Sequence, residues 1–408
     1  MPIDSGDTVW VLISAALVMV MTPAVGFFYG GMAGRKNVIS VLMQTFAILA
    51  LIGVQWVLWG YSLAFGPDKA GLIGGLDWLG LRGVGLEPNV DYAATIPHQA
   101  FMIFQAMFAI ITPALIVGCF VGRMKFSAFI VFTLLWATIV YDPVAHWVWG
   151  IGGWLRSLGA LDFAGGTVVH VTAGVSALAA SLAIGRRSES KIGELVPHNV
   201  PMVLLGAILL WFGWFGFNAG SALGANGLAA SAFVVTNTAA AMAALTWVFL
   251  SWINTGKVDP LGGATGAVAG LVAITPASGF VSPLFALLIG IGAGVFPYYA
   301  IRFRIRRRLD DTLDVWACHG IGGTWGALAT GLFASKAVNA AGGDGLFFGN
   351  PAQLGVQALA VAVTWVFAFA ATFGILKAIN VIMGLRVSER AERVGLDLAQ
   401  YGGEAYNP

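Results

Sequence analysis

Apolar runs recur along nearly the whole chain, separated by short polar breaks, and none shows the two-residue alternation of a membrane barrel strand. A hydrocarbon core of about 30 Å needs roughly 20 apolar residues per helix. The runs therefore predict spans over 8–30, 38–65, 98–121, 126–149, 164–185, 199–222, 228–253, 261–277, 281–301, 314–335 and 354–384. This pattern describes an all-α integral membrane protein with eleven transmembrane helices, located in a cell membrane as a multi-pass protein. Composition agrees: 58% of residues are hydrophobic, 10% are charged and the mean hydropathy is +0.84, outside the range of soluble domains. The 55 glycines imply closely packed helix backbones.

Charge changes the picture by its placement, since the formal net charge is only +2 and gives no pull toward nucleic acid. Arg35, Lys36, Arg123, Lys125, Arg186, Arg187, Lys191, Lys257, the run from Arg302 to Arg308, and Arg386, Arg390 and Arg393 all fall on one side of the predicted membrane. The other side has Lys69, Arg82, Arg156 and Lys336, and Lys377 lies within the last span. Sixteen against four makes the basic side cytoplasmic by the positive-inside rule. The N-terminus is then outside and the C-terminus inside. The acidic start, Met1-Pro-Ile-Asp-Ser-Gly-Asp, lacks a basic n-region and a small-residue cleavage site, so the first apolar run is expected to stay. The chain divides into a membrane domain, 1–384, and a cytoplasmic tail, 385–408, whose mixed charges read as a solvated docking segment or as plain disorder.

Two halves of the chain echo each other. Gly26-Phe-Phe-Tyr-Gly-Gly closes the first span and Phe215-Gly-Phe-Asn-Ala-Gly the sixth, while Ile111-Thr-Pro-Ala returns as Ile274-Thr-Pro-Ala. Asp162 precedes His170 in the fifth span, and Asp314 precedes His319 in the tenth. Five spans is an odd number, so a second copy starts on the opposite side: an inverted 5+5 repeat plus an eleventh helix. Such repeats place a substrate path near the midplane at their interface.

Ionisable residues inside spans are costly unless they face a cavity or a partner. His170 and His319 hold corresponding positions in the two halves and can converge on one path. Asp162 starts a helix, where a carboxylate caps exposed N–H groups and also favours a cation at the outer mouth; both readings are open. His146 reads as structural, His98 and His198 as interfacial, and the place of Asp142 is undetermined. Cys119 and Cys318 read as core packing, and no third ligand accompanies the histidines in a metal spacing. Among the many aromatics, Phe108, Trp149 and Phe217 stand out by position alone, each in the outer half of its span, where a cation can meet a ring face.

Several blocks, in order, resemble the ammonium transporter family, the Amt/Mep/Rh proteins, along essentially the full chain. They are Leu161-Asp-Phe-Ala-Gly-Gly-Thr-Val-Val-His170, Pro197-His-Asn-Val-Pro-Met202, Trp211-Phe-Gly-Trp-Phe-Gly-Phe-Asn-Ala-Gly-Ser221, Asp314-Val-Trp-Ala-Cys-His-Gly320, and the tail with Gly384-Leu-Arg-Val and Gly395-Leu-Asp. They look like the Amt branch. The resemblance implies a homotrimer with one pore per subunit that carries ammonium or ammonia without a cofactor. It implies an outer recruitment site of Phe108, Trp149 and Ser221 with Asp162 behind it, and a gate of Phe108 stacked on Phe217. It also implies a pore lined by Trp214, His170, His319 and Thr275, and a tail that binds a PII-type signalling protein.

Electrostatics fits that mechanism. Moving an intact ammonium-sized ion into a low-dielectric pore costs ~20 kcal/mol in the idealised Born limit. With lysine as the amine stand-in, deprotonation at pH 7 costs about 4.6 kcal/mol, and a desolvated ring face contributes only ~2 kcal/mol. The ion is therefore selected at the mouth and loses its charge before the gate, after which neutral imidazoles hydrogen-bond ammonia and relay or hold a proton, so that ammonia passes with or without a coupled proton. The alternatives are a membrane ammonium sensor, which carries no ammonium-dependent current, and an Rh-like gas channel. An enzyme is not expected, since the sequence holds no nucleophile triad, metal cluster or nucleotide loop. The charge asymmetry predicts that a cysteine introduced near Pro408 stays unlabelled when an impermeant thiol reagent is applied to intact cells; labelling from outside contradicts the orientation.

Overall fold

Short polar caps start the long apolar helices. Asp4 accepts the Asp7 N–H (2.9 Å) ahead of α1 (Ser5–Met32), Asn199 accepts the Met202 N–H (2.9 Å) at the start of α6 (Val200–Ala222), and Asn226 caps α7 (Gly227–Thr255). Between these lie α2 (Arg35–Phe65), α3 (His98–Cys119), α4 (Phe126–Trp136, continuing through Ala137–Tyr141 into Asp142–Trp149) and α5 (Gly166–Ile184). After α7 come α8 (Pro260–Ile274), α9 (Pro283–Arg306), α10 (Trp316–Ile321 running into Gly322–Phe333) and α11 (Pro351–Met383). This computed structural model describes residues 2–188 and 196–406. Lys191 and Pro408, used above in the charge count and the labelling test, lie outside them.

The protein is a multi-pass membrane bundle. Among the described residues, nine helices are long and apolar enough to cross a bilayer. The expected spans 261–277 and 314–335 fall on α8 and α10, which are shorter. At 1.5 Å per residue the 15-residue α8 reaches only about 22 Å. From Gly266 to Ile274 every residue of α8 is buried in protein, so its length need not match the lipid.

Close backbone approach builds the core. On α6, a Cβ added at Gly216 would lie 2.7 Å from the Leu17 Cβ of α1, so the two helices pack through missing side chains. The same device joins α5 and α10, where a Cβ on Gly174 would overlap the Gly320 backbone nitrogen. That crossing lies one turn past His170 and beside His319.

One end of the bundle gathers the basic turns. Fully buried Arg123 donates to Asp310 (3.2 Å), to the Gly185 carbonyl (2.6 Å) and to Thr312 (3.1 Å), while Arg187 grips the same Asp310 carboxylate (2.7 Å). Burial alone would raise the Asp310 carboxyl, but the two guanidiniums outweigh it and hold it below its ordinary range.

The tail departs from the solvated or disordered reading. It forms α12 (Glu389–Val394) and α13 (Leu396–Tyr401) and lies against the basic end. Asp397 accepts the Ile39 and Ser40 N–H groups (3.0 and 2.8 Å) in the first turns of α2, and Asn37 accepts the Leu396 N–H (2.9 Å). Glu392 takes the Arg386 guanidinium (2.7 Å) and both the N–H and hydroxyl of Ser188 (2.9 Å each). The charges looked solvated in sequence because their partners are some 200 to 360 residues away. Burial would raise Glu392, yet the Ser188 and Arg386 hydrogen bonds prevail and lower it. Its contribution is therefore full above the ordinary glutamate range and is lost as pH falls through the lowered value. Glu392→Gln is expected to speed hydrogen exchange of the α12–α13 amides about tenfold, a loss of roughly 1.5 kcal/mol; unchanged exchange shows that these contacts do not hold the tail.

Candidate functional site

At the end opposite the basic turns, the C-terminal ends of α2, α4 and α6 and the side of α3 enclose a cavity of about 170 Å³. Phe108, Trp149 and Ser221 line it together with Phe65, Tyr92, Phe101, Gln105, Arg156, Phe163 and Leu223. The Trp149 ring stands edge-on to Phe108 (centroids 5.8 Å apart, 87°), and its indole N–H donates to the Asp162 carbonyl (2.9 Å). Ser221 donates to the Phe217 carbonyl one turn back (3.0 Å).

Below the cavity the path is closed by rings. Phe108 and Phe217 are 1% and 0% exposed and lie with centroids 4.3 Å apart. Beyond them His170 stacks on Phe217 (5.9 Å) and on Trp214 (5.3 Å), then on His319 (5.3 Å, 26°). The Trp214 N–H donates to Thr275 (2.8 Å), whose hydroxyl donates back to the Leu271 carbonyl (2.7 Å). All nine residues singled out in the sequence thus fall along one line of contacts, Asp162 through its carbonyl and the rest through their side chains.

The histidines approach through Nδ1 of each ring, 3.3 Å apart. One Nδ1 must donate and the other accept. The donor ring then has a bare Nε2, and the acceptor ring carries its hydrogen on Nε2. The pair offers one acceptor and one donor along the path. His170 Nε2 is buried with no hydrogen-bond partner in the protein. Both rings sit in π turns, Gly166–Val171 and Trp316–Ile321, a local widening often found at functional positions.

Asp162 is bound more tightly than a single cap. Its Oδ1 accepts the N–H groups of Gly165 and Gly166 (2.8 and 2.6 Å), and its Oδ2 those of Thr167 and Val168 (2.7 and 3.1 Å). Gly165 makes the turn possible with φ +109°. The matching acid ahead of α10 is Asp311, whose Oδ2 accepts the Trp316 N–H (2.7 Å), and not Asp314, which pairs with Arg304. Asp311 stands eight residues before His319, as Asp162 stands eight before His170; that equal spacing was the available signal.

Other histidines and acids sort by their partners. His146 bridges the Ala64 carbonyl and Asp68 (2.9 Å each), a structural role as expected. His98 is buried against the Tyr61 hydroxyl (2.6 Å) rather than interfacial, because the loop carrying Trp78 folds over it. Half-buried His198 joins the Ala33 carbonyl to the Tyr406 hydroxyl. Asp142 accepts from Gln55 (2.9 Å) and is not among the residues lining the cavity. The sequence reading missed Gln105 and Arg156 in the cavity. Gln105 lies three residues before Phe108, hence on the same face of α3, and its Oε1 is buried without a partner.

Residues 9–406 match the model of the Ammonium Transporter Family. The chain is a member of that family. It is 50% identical over 403 residues to the ammonium transporter of Bacillus subtilis (98% of both chains) and 49% identical to ammonium transporter Amt1 of Archaeoglobus fulgidus (99% of this chain, all of the other). Among solved structures, Mep2 of Candida albicans superposes with a TM-score of 0.90 at 37% identity, covering 95% of this chain and 87% of that one. A structure named Sensor Amt Protein reaches 0.89 at 31% identity, covering 97% and 98%.

The four N–H bonds generate a stability prediction for this family member. Asp162→Asn leaves one acceptor oxygen and turns an NH₂ toward the remaining donors. The expected loss is on the order of 3 kcal/mol, read as a lower thermal midpoint in detergent, together with loss of transport. An Asn variant as stable and active as wild type contradicts both the cap and the charge as roles of Asp162.

Proposed function

We propose that this protein takes ammonium from outside a cytoplasmic membrane, deprotonates it at the mouth and passes ammonia through the paired-histidine pore, the proton either returning to outside water or crossing in a coupled step. The observation that carries this reading is the tight, tilted Phe108–Phe217 pair over two histidines joined at Nδ1, with His170 Nε2 left unpartnered beneath it. In this reading eleven helices span the bilayer as an inverted 5+5 repeat plus α11, with the N-terminus outside and the C-terminus inside. Residues 1–384 form the transport domain and 385–408 a cytoplasmic tail, and three copies assemble with one pore each. The tail side receives a PII-type signalling protein.

Phe108 and Trp149 present ring faces to the ion, Ser221 and Gln105 present oxygens to its N–H groups, and the Asp162 charge favours it from behind. The paired Phe108 and Phe217 rings then admit a molecule that has lost its charge. Ammonia has one lone pair and three N–H bonds, which match the one donor and one acceptor of the histidine pair. Trp214, fixed by Thr275, walls the path beside His170. The family model and the relatives at 49–50% identity are named for transport, which favours transport over sensing.

Potassium cannot shed a proton, and a neutral pair gives it no fixed negative charge. A carboxylate in the pore would stabilise a whole cation with some water. In proteoliposomes, wild type is expected to give an ammonium-dependent flux and no potassium flux, while His170→Asp passes potassium. A folded, conducting His170→Asp that still excludes potassium shifts selectivity to the width of the Phe108–Phe217 gate. A wild type with no ammonium flux leaves only sensing.

A further inference from the structure

The recruitment cavity holds a positive charge of its own. We infer that Arg156 is a specificity-determining residue of this cavity, a fixed cation that weakens ammonium binding there and disfavours divalent ions. The inference rests on the transport reading above.

Arg156 belongs to the short helix Trp154–Ser157, which follows the turn that ends α4. It lines the same cavity as Phe108, Trp149 and Ser221. Its Nη1 donates to the Trp149 carbonyl, so the guanidinium is tethered to the backbone of the residue whose ring faces the ion. It also lies near enough to Tyr92 to favour the ionised hydroxyl, against the burial that pushes that group up to about 12.

No ion pair among the described residues neutralises the charge, although Asp91 acts on the same Tyr92 hydroxyl with the opposite sign. The ion pairs of the described residues involve other arginines and His146, and none includes Arg156. The carbonyl it binds is neutral, contributing only the partial negative charge of a helix C-terminus. Asp162 supplies the opposing negative charge from a buried position, shared among four N–H groups. The field in the cavity is therefore a difference between a buried anion and an exposed cation. The two respond differently to salt, since exposed charges are screened and buried ones much less so.

Two consequences follow for the ion. A monovalent cation on the rings is attracted by the ring faces and by Asp162 and repelled by Arg156; for a divalent ion both charge terms double, so the guanidinium costs a divalent ion twice what it costs a monovalent one. A transport site must also release what it binds, and a counter-charge at the mouth keeps recruitment from becoming a trap.

The test compares wild type, Arg156→Gln and Arg156→Lys in phosphatidylcholine proteoliposomes, with ammonium KM measured at low and high sodium chloride. Arg156→Gln is expected to lower KM about two- to fivefold and to make magnesium a stronger competitor. Wild-type KM is expected to fall as salt screens the guanidinium. That salt effect should vanish in Arg156→Gln and persist in Arg156→Lys, which keeps the charge. If both variants raise KM and the salt dependence is unchanged, Arg156 acts only by holding the Trp149 backbone and the inference is wrong. If KM and magnesium competition do not change in Arg156→Gln, it is equally wrong. A wild type without ammonium flux removes the transport reading and this inference together, whereas wild-type flux with either preceding result removes this inference alone.

Discussion

An ion that leaves water for a protein interior loses hydration worth far more than any aromatic ring returns. For an ammonium-sized ion the idealised loss is ~20 kcal/mol, against ~2 kcal/mol from a desolvated ring face. Shedding the proton is the cheaper route, and the arrangement of side chains follows that order. In the proposed reading, rings and oxygens that meet the cation stand at the mouth, a tight pair of phenylalanines comes next, and beyond it are two imidazoles with no carboxylate among the described residues hydrogen-bonded to them. A charge placed deeper would trap the ion, and a wider gate would let it keep its water.

Holding two histidines 3.3 Å apart inside apolar helices constrains the backbone around them. Gly174 and Gly320 let α5 and α10 cross at contact distance, and π turns reshape both helices where the rings emerge. Asp162 and Asp311 satisfy the N–H groups freed at the start of each helix. Each acid lies eight residues before its histidine, so the two halves repeat a cap, a turn and a ring as one unit. At the other end of the helices, Arg123, Asp310 and the docked tail lock the turns together.

Much of this was legible in the sequence, because membrane insertion imposes simple rules. Long apolar runs located the helices, and ionisable residues within them were rare enough that His170, His319 and Asp162 stood out. Where several acids crowd together the sequence pattern misleads: Asp314 stands nearer to His319, although Asp311 has the spacing that matches Asp162. Long-range polar contacts were invisible, so the tail looked solvated while Asp397 was reaching the first turns of α2. His98 looked interfacial because nothing local announces that Trp78 and Tyr61 will enclose it. Gln105 and Arg156 were passed over because a polar residue near a helix end is ordinary in sequence; their significance comes from the cavity they share.

The central claim is that the ring pair beyond the gate is neutral and polarised, one Nδ1–H donating to the other Nδ1. Solid-state NMR of ¹⁵N-histidine-labelled protein in bilayers at neutral pH, with His170 and His319 assigned by single substitution, reads this directly. The account predicts neutral shifts for both rings, with one protonated at Nδ1 and the other at Nε2. An imidazolium signal from either ring would place a resident positive charge in the path and contradict it.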